Sequence, residues 1–401
     1  MTLDISVEEE ARAEELATDP LLGGLVVPRL LGRVGDPRSG PTLVCVGGLH
    51  GNEPAGVLAL QRIFAKLGDE PEGFRGQLVG LAGNRRALAK RARYLEHDLN
   101  RHWLPERVER LRRAEEPLEA EDLELVELDR TLDEIFAEAE GGVVCLDLHT
   151  FSGPGHCFVT LDDALVNREF ALRFPAPLVL GLEEELAGTL SNHFTAQGIV
   201  NIGFESGQHD EPAAVDRAEE AIWIALEVVG VVAPGSRPEV GVAHARLDAD
   251  ADGYPDVVEV RYRHEIKPED EFLMEPGFRG LEPIKAGQVL AEDRRGEVRS
   301  PTGGLLLMPL YQKQGADGFF VTRAVSPAWL RISATVRRWH VERFVHLLPG
   351  VKRHPDQPNT FIVDRRYARF LALEVFHLLG FRRQAMTERY LTMTRRADYR
   401  D

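Results

Sequence analysis

The chain has 401 residues, 43% of them hydrophobic, enough for a sizeable core and for two or three domains. Its formal net charge of −17 at pH 7 argues against nucleic acid or an anionic membrane as the main partner. No apolar run approaches the ~20 residues of a membrane span, and Cys45, Cys145 and Cys157 make no disulfide framework, so a reducing cytoplasm is the expected location.

In chain order, residues 1–23 form an acidic segment with the run Glu8-Glu9-Glu10 and without the basic start and apolar middle of a signal peptide. From residue 24 to 232 strands and helices alternate. Strands are expected at Leu43–Val46, Gln77–Leu81, Val143–Leu148, Cys157–Thr160, Leu178–Leu180 and Ile199–Phe204. Helices are expected at Glu53–Leu67, Arg86–Leu95, Leu123–Ala139, Leu165–Phe174 and Ala213–Val229. This alternation predicts an α/β domain with a mostly parallel sheet covered on both faces. The acidic run Glu115 to Glu127 reads as a solvated helix face. Pro234 to Pro238 reads as a linker, and residues 239–331 as a small antiparallel β domain with strands at Val257–Tyr262, Gln288–Ala291, Leu305–Met308 and Phe319–Val321. Residues 332–401 read as a helical, arginine-rich C-terminal extension over Val336–Leu348, Tyr367–Leu379 and Met386–Arg396.

The chemistry concentrates at strand ends. The apolar run Thr42 to Val46 is broken by Gly47-Gly48, after which His50 and Glu53 stand three apart where a helix begins. Imidazole nitrogen and carboxylate oxygen are zinc ligands, and a hydrolytic zinc site needs three of them plus a water. His149, at the carboxyl end of the strand Val143–Leu148, supplies the third, because sites in open α/β sheets form outside the carboxyl ends of strands. Asp147 faces the same side and can orient His149. Glu205 ends a further strand in the same crevice and could serve as a base. Arg93 and the pair Asn100-Arg101 offer cationic and polar contacts to a carboxylate, although most of the basic stretch Arg85 to Arg101 reads as a solvated face.

Gly47-Gly48-Leu49-His50-Gly51-Asn52-Glu53, Arg93-Tyr94, Asp98-Leu99-Asn100-Arg101, Asp147-Leu148-His149-Thr150 and Phe204-Glu205-Ser206-Gly207 together resemble the succinylglutamate desuccinylase/aspartoacylase family, of the zinc carboxypeptidase-like superfamily. The resemblance covers residues 24–232 and reaches the Ser300 to Gly304 turn. It implies one zinc per chain held by His50, Glu53 and His149, with Glu205 as the general base and Arg93 polarising the scissile carbonyl. It further implies that Asn100 and Arg101 hold a substrate carboxylate, with Tyr311 as a further substrate contact. The activity implied is hydrolysis of an amide in a small N-acylated amino acid. A peptide carboxypeptidase or amidase, an esterase, and a catalytically silent metal-binding module are the alternatives. The family's aspartoacylases carry an arginine about ten residues before the catalytic glutamate; this chain has Ser191-Asn192-His193-Phe194-Thr195 there, which argues against a plain N-acetylaspartate specificity. The oligomeric state, a homo-oligomer included, is left open.

A second cation site is weighed at Asp248 to Glu259. Oxygen ligands stand at positions 1, 3, 5, 9 and 12 with glycine at 6, the spacing of a calcium loop. Pro255 and the strand-like flanks Val242–Leu247 and Val257–Tyr262 speak instead for an acidic hairpin turn.

Overall fold

Strand β2 (Thr42–Gly47) is buried along its whole length, and its alternate residues enter different cores. Leu43 and Cys45 pack with the helices Ala55–Leu67 and Pro212–Val229, while Val44 and Val46 pack with Leu125, Leu128 and Leu132 of the helix Ala120–Glu138. A strand covered on both faces has no polar side to show, which is why its sequence is a continuous apolar run. The computed structural model describes residues 27–68, 73–113, 115, 117–364, 366–367, 372–387, 389–396 and 398. The acidic segment 1–23 lies outside the described residues.

Around β2 stand β1 (Leu30–Gly35), β3 (Gln77–Ala82), β4 (Val143–Phe151), β5 (Phe158–Thr160), β6 (Leu178–Leu180), β7 (Val200–Gln208) and β8 (Val257–Glu265). They lie in the order β1-β3-β2-β4-β7-β5-β6-β8, with five parallel contacts and two antiparallel ones, at β1–β3 and β7–β5. The register brings two candidate residues side by side: Asp147 lies opposite Gly203, and His149 opposite Glu205. Gly203 is required by that arrangement, since a Cβ there would stand 2.4 Å from Thr160 Oγ1 of β5.

The expected linker is a tight turn, and the expected strand at Val242–Leu247 is a helix, Pro238–Ala251, folded back onto Pro212–Val229. Val240, Ala243 and Leu247 recur at helical spacing and are buried in the main core, with Pro238 in the first turn where its missing N–H costs nothing. This also corrects the calcium loop. Asp248 and Asp250 sit on the last turn of that helix, and Asp250 accepts from Arg217 Nε at 2.7 Å. Glu259, on β8, is committed to cations of the protein: Arg323 Nη2 at 2.8 Å, Arg261 Nη1 at 3.2 Å and His377 Nδ1 at 3.1 Å.

Beyond β8 come β9 (Leu273–Met274), β10 (Pro283–Ile284), β11 (Val289–Asp293), β12 (Gly296–Arg299), β13 (Gly304–Leu307) and β14 (Asp317–Ala324). They do not form a free-standing sheet. The antiparallel run β8-β14-β13-β10 extends the central sheet to eleven strands, and only β12-β11-β9 forms a small sheet of its own. A further apolar cluster lies between the two, with Leu290 from β11 of the small sheet and Leu306 and Phe319 from β13 and β14 of the extension.

The C-terminal extension is not all helical. After the helix Pro327–Arg338, β15 (Val351–Arg353), β16 (Thr360–Asp364), β17 (Phe381–Met386) and β18 (Tyr390–Arg395) form a four-stranded antiparallel sheet in the order β15-β16-β18-β17, with the short helix Ala372–Leu378 between β16 and β17. In β18 the buried residues are Leu391 and Met393, a period of two that the surrounding arginines obscure in the sequence. The module docks through buried ion pairs. Arg337, wholly buried, donates to Asp398 Oδ2 at 3.1 Å and to the Asp163 carbonyl at 2.7 Å, and Arg168 donates to both Asp163 oxygens at 2.8 and 2.6 Å. Arg396 bridges Glu183 and Glu184 at 2.6 Å each. Removing one member of such a set leaves buried carboxylates uncompensated. Arg337→Ala is therefore expected to cost about 3–5 kcal/mol of stability in denaturant unfolding; a loss below about 1 kcal/mol would show that these pairs do not hold the module.

Candidate active site

The turn after β2 exists because the backbone passes close to a neighbouring segment. A Cβ on Gly51 would stand 2.0 Å from the Ala87 carbonyl carbon, so only glycine lets His50 and Glu53 sit against the helix Arg85–Lys90 that follows β3. Glu53, just before the helix Ala55–Leu67, is 2% exposed and lies between two histidines. His50 Nδ1 is 2.7 Å from its Oε1 and His149 Nδ1 3.0 Å from its Oε2, which also accepts from the Thr150 N–H at 3.0 Å. The outward nitrogens of the same rings meet carboxylates: His50 Nε2 is 3.0 Å from Asp98 Oδ1, and His149 Nε2 is 2.9 Å from Asp147 Oδ2. Such partners fix which ring nitrogen carries the proton and leave both Nδ1 atoms to face Glu53. Burial opposes charge on Glu53, but His50 and His149 hold its carboxyl well below the usual range. Burial likewise works against a His149 cation, yet Asp147 and Glu53 outweigh it and raise that pKa well above the ordinary value. A proton and a divalent cation are alternative ways to balance these carboxylates. His50, Glu53 and His149 have ligand atoms within 4.8 Å of one another, and this two-imidazole, one-carboxylate set fits such a metal.

Glu205 stands beside His149 across the β4–β7 register, 8% exposed, with Oε2 unpartnered. Burial pushes its carboxyl up to about 8, with Glu53 and Asp147 adding to the rise and His149 opposing it. A buried carboxyl in that range exchanges a proton near neutral pH, as an acid–base group must.

Arg93 donates to Asp98 Oδ2 from Nε at 3.2 Å and from Nη2 at 2.9 Å, which leaves Nη1 turned toward Glu53 Oε1 at 3.4 Å. Asn100 Oδ1 accepts from the Leu190 N–H at 2.8 Å, and Asn100 Nδ2 lies 3.4 Å from His149 Nε2. Arg101 is already engaged: Nη2 donates to Asp317 Oδ2 at 3.1 Å, and Arg263 holds the other oxygen of Asp317. A substrate carboxylate at Arg101 would therefore share it with Asp317. Arg93, Asn100 and Arg101 line one cavity with His50, Glu53, His149 and Glu205, and one side of it is closed by Met308, Leu310 and Gln312 of the segment between β13 and β14 together with Asp317 at the start of β14. Tyr311 is not brought there. Its hydroxyl donates to the Glu275 carbonyl at 2.7 Å and accepts from the Phe278 N–H at 2.9 Å, which turns the ring into the β layers.

Sequence reasoning passed over three participants. Asp98, inside the Asp98-Leu99-Asn100-Arg101 motif, orients both His50 and Arg93. His209, four residues past Glu205, spans Thr150 Oγ1 at 2.7 Å and Gln312 Oε1 at 3.0 Å, and Gln312 also accepts from Asn52 at 2.6 Å. The motif contained the first; only three-dimensional neighbours reveal the other two.

Residues 39–221 match the succinylglutamate desuccinylase/aspartoacylase catalytic domain. Succinylglutamate desuccinylases of Pseudomonas paraeruginosa and Pseudomonas aeruginosa are each 30% identical over 117 residues, 29% of this chain and 33% of theirs, so the chain spans about a third of the length of the curated relatives it matches. Among solved structures, a succinylglutamate desuccinylase/aspartoacylase from Rhodobacter sphaeroides aligns over 73% of this chain and 87% of its own, at 20% identity and a TM-score of 0.53. The product-bound ectoine utilization protein EutE (DoeB) from Ruegeria pomeroyi aligns over 71% and 86%, at 19% identity and 0.52. Those two likenesses establish a shared fold.

Because Asp98 and Asp147 hold the rings of His50 and His149, Asp98→Asn and Asp147→Asn should each weaken uptake of a divalent metal by about 10–100-fold. Metal titration of the chelator-treated protein measures this, and unchanged affinity in both variants would remove the orienting role.

Proposed function

Since residues 39–221 belong to the succinylglutamate desuccinylase/aspartoacylase family, we propose that this chain is a zinc-dependent hydrolase on a zinc carboxypeptidase-like sheet. Its reaction is removal of the acyl group from a small N-acylated amino acid or similar carboxylate-bearing amine. The observation that carries the reading is the Glu53-bridged pair His50 and His149 with Glu205 beside them in register. The segment between β13 and β14 closing one side of the cavity favours a small substrate over an extended peptide.

His50, Glu53 and His149 would hold the zinc, which when bound supplies Lewis acidity to a water and to the scissile carbonyl. The chain's own groups do the rest. Glu205 takes the proton of the attacking water and passes it to the leaving nitrogen, so one carboxyl serves as base and then as acid. Arg93, its other donors fixed by Asp98, offers Nη1 to the carbonyl oxygen as charge develops there. Asn100 and Arg101 orient the substrate's carboxylate at the mouth, against the counter-charge of Asp317.

Glu205→Gln keeps the side-chain volume and cannot take a proton. Turnover on a panel of N-acylated amino acids should fall about 10²–10⁴-fold with metal content and fold retained; turnover within threefold of the parent's would assign the base elsewhere. Chelation should abolish turnover and zinc restore it.

The two arginines separate by kinetic constant. Arg93→Ala is expected to lower kcat about 10²–10³-fold, the cost of one oxyanion donor. Arg101→Ala should mainly raise KM, by about 10–100-fold for a lost charge-assisted hydrogen bond. Equal effects of both changes on both constants would refute the division.

A further inference from the structure

A second group of ligating side chains stands on the far side of the loop that carries Asp98, Asn100 and Arg101. We propose that His97, His102 and Asp122 form a second divalent-metal site, of the zinc class, that fastens this loop to the helix Ala120–Glu138. The proposal stands independently of the hydrolase reading.

The three residues offer two imidazole nitrogens and a carboxylate oxygen within 4.8 Å of one another. His97 Nδ1 is 3.0 Å from Glu119 Oε2, a contact that keeps the ring proton on Nδ1 and leaves a lone pair on Nε2. That Nε2 lies 3.4 Å from Asp122 Oδ1, within ion-pair reach, but is buried without a hydrogen-bond partner. His102 Nδ1 is buried and unpartnered as well. The two rings stack with centroids 4.0 Å apart at 24°. Two buried, unpartnered ring nitrogens are costly unless something satisfies them. A borderline cation that takes imidazole and carboxylate together does so, with water completing its shell. The Glu119 contact supplies the outer carboxylate that such ligands use to fix their orientation.

The position gives the site a consequence. Residues 97 and 102 flank the turn Leu99–Arg101, and Asp98 between them orients His50 and Arg93. The loop is already tied to the same helix through Glu121, which accepts the N–H groups of Leu95 at 2.7 Å, Glu96 at 3.0 Å and His97 at 3.4 Å. A cation on His97, His102 and Asp122 would close the other end of that tie. Arg107 also donates to Asp122 Oδ1, at 2.7 Å, so the carboxylate's charge is shared and this site should bind more weakly than His50, Glu53 and His149.

The test is metal stoichiometry, read by calorimetry and elemental analysis on the full chain after chelator treatment, with zinc as the probe. The parent should take up two equivalents, the second weaker; His102→Gln and His149→Ala should each take up one, and the double variant none. Glu119→Gln should weaken only the second equivalent, by about 10–100-fold. Should His102→Gln fail to fold, cobalt(II) added to His149→Ala reports the same site through its visible ligand-field bands. A His102→Gln variant that binds as many equivalents as the parent, or a His149→Ala protein that takes up neither zinc nor cobalt, would each overturn the proposal.

Discussion

The bridge from Glu53 to His50 and His149 is the contact on which the rest of the site depends. It joins the ends of two adjacent parallel strands, paired in register up to Gly47 and Leu148, so each imidazole arrives on a rigid element. Both carboxylate oxygens are committed, one to each ring, in a place that water barely reaches. A buried carboxylate so placed is stable only while its counter-charges remain, so neither histidine can leave without stranding it. The outer carboxylates Asp98 and Asp147 extend the same constraint outward. Through Asp98 it also fixes Arg93.

The strong negative charge has an internal use that its formal value conceals. The run from Glu115 to Glu127 is in large part not a solvated face. Glu121 and Glu124 are fully buried, and Asp122 nearly so. Glu121 gathers three successive backbone N–H groups of the loop, while Glu124 accepts from Arg86 Nη1 at 2.7 Å and pairs with Arg29 and Arg85. The basic stretch that includes Arg85 and Arg86 is the matching half of this arrangement. The acidic helix Ala120–Glu138 and the basic helix Arg85–Lys90 neutralise each other at the back of the site, and the loop bearing Asp98, Asn100 and Arg101 is held from behind. Charges paired in this way add little to affinity for other molecules, because their fields cancel locally.

The half of the fold that carries the candidate site was legible because its signals are local. β2, β4 and β7 are short apolar runs, and the rule for strand ends then places His50, His149 and Glu205 in one crevice. What was hidden depends on distant partners. Arg101 looks free in sequence, and Asp317, which neutralises it, lies 216 residues away. The β segment reads as a separate domain because its turns are dense, yet β8 pairs with β6 and carries the sheet across the boundary. The helix Pro238–Ala251 was obscured by its aspartates, although Val240, Ala243 and Leu247 keep the helical period. In the tail, arginines that serve as buried ion-pair partners mimic the exposed face of a helix, and the period of two in β18 is only six residues long.

The tail is also nearer to the cavity than its place in the chain suggests. Leu182 and Glu183, on the single turn Leu182–Glu184, line the cavity, and Arg396 grips Glu183 and Glu184 from behind. Burial pushes the Glu183 carboxyl up to about 8, with Glu184 and Asp162 beside it adding to the rise against the pull of Arg396. His377 lies between Glu184 and Glu259, so the same turn is fastened to β8 through the tail. A wall built from closely spaced carboxylates repels itself unless cations hold it, and here Arg396 and His377, both from the C-terminal module, supply them. The module therefore belongs to the mechanics of the cavity: withdrawing it would leave Glu183 and Glu184 unpaired at the edge of the site, and the turn that carries them could not keep its place.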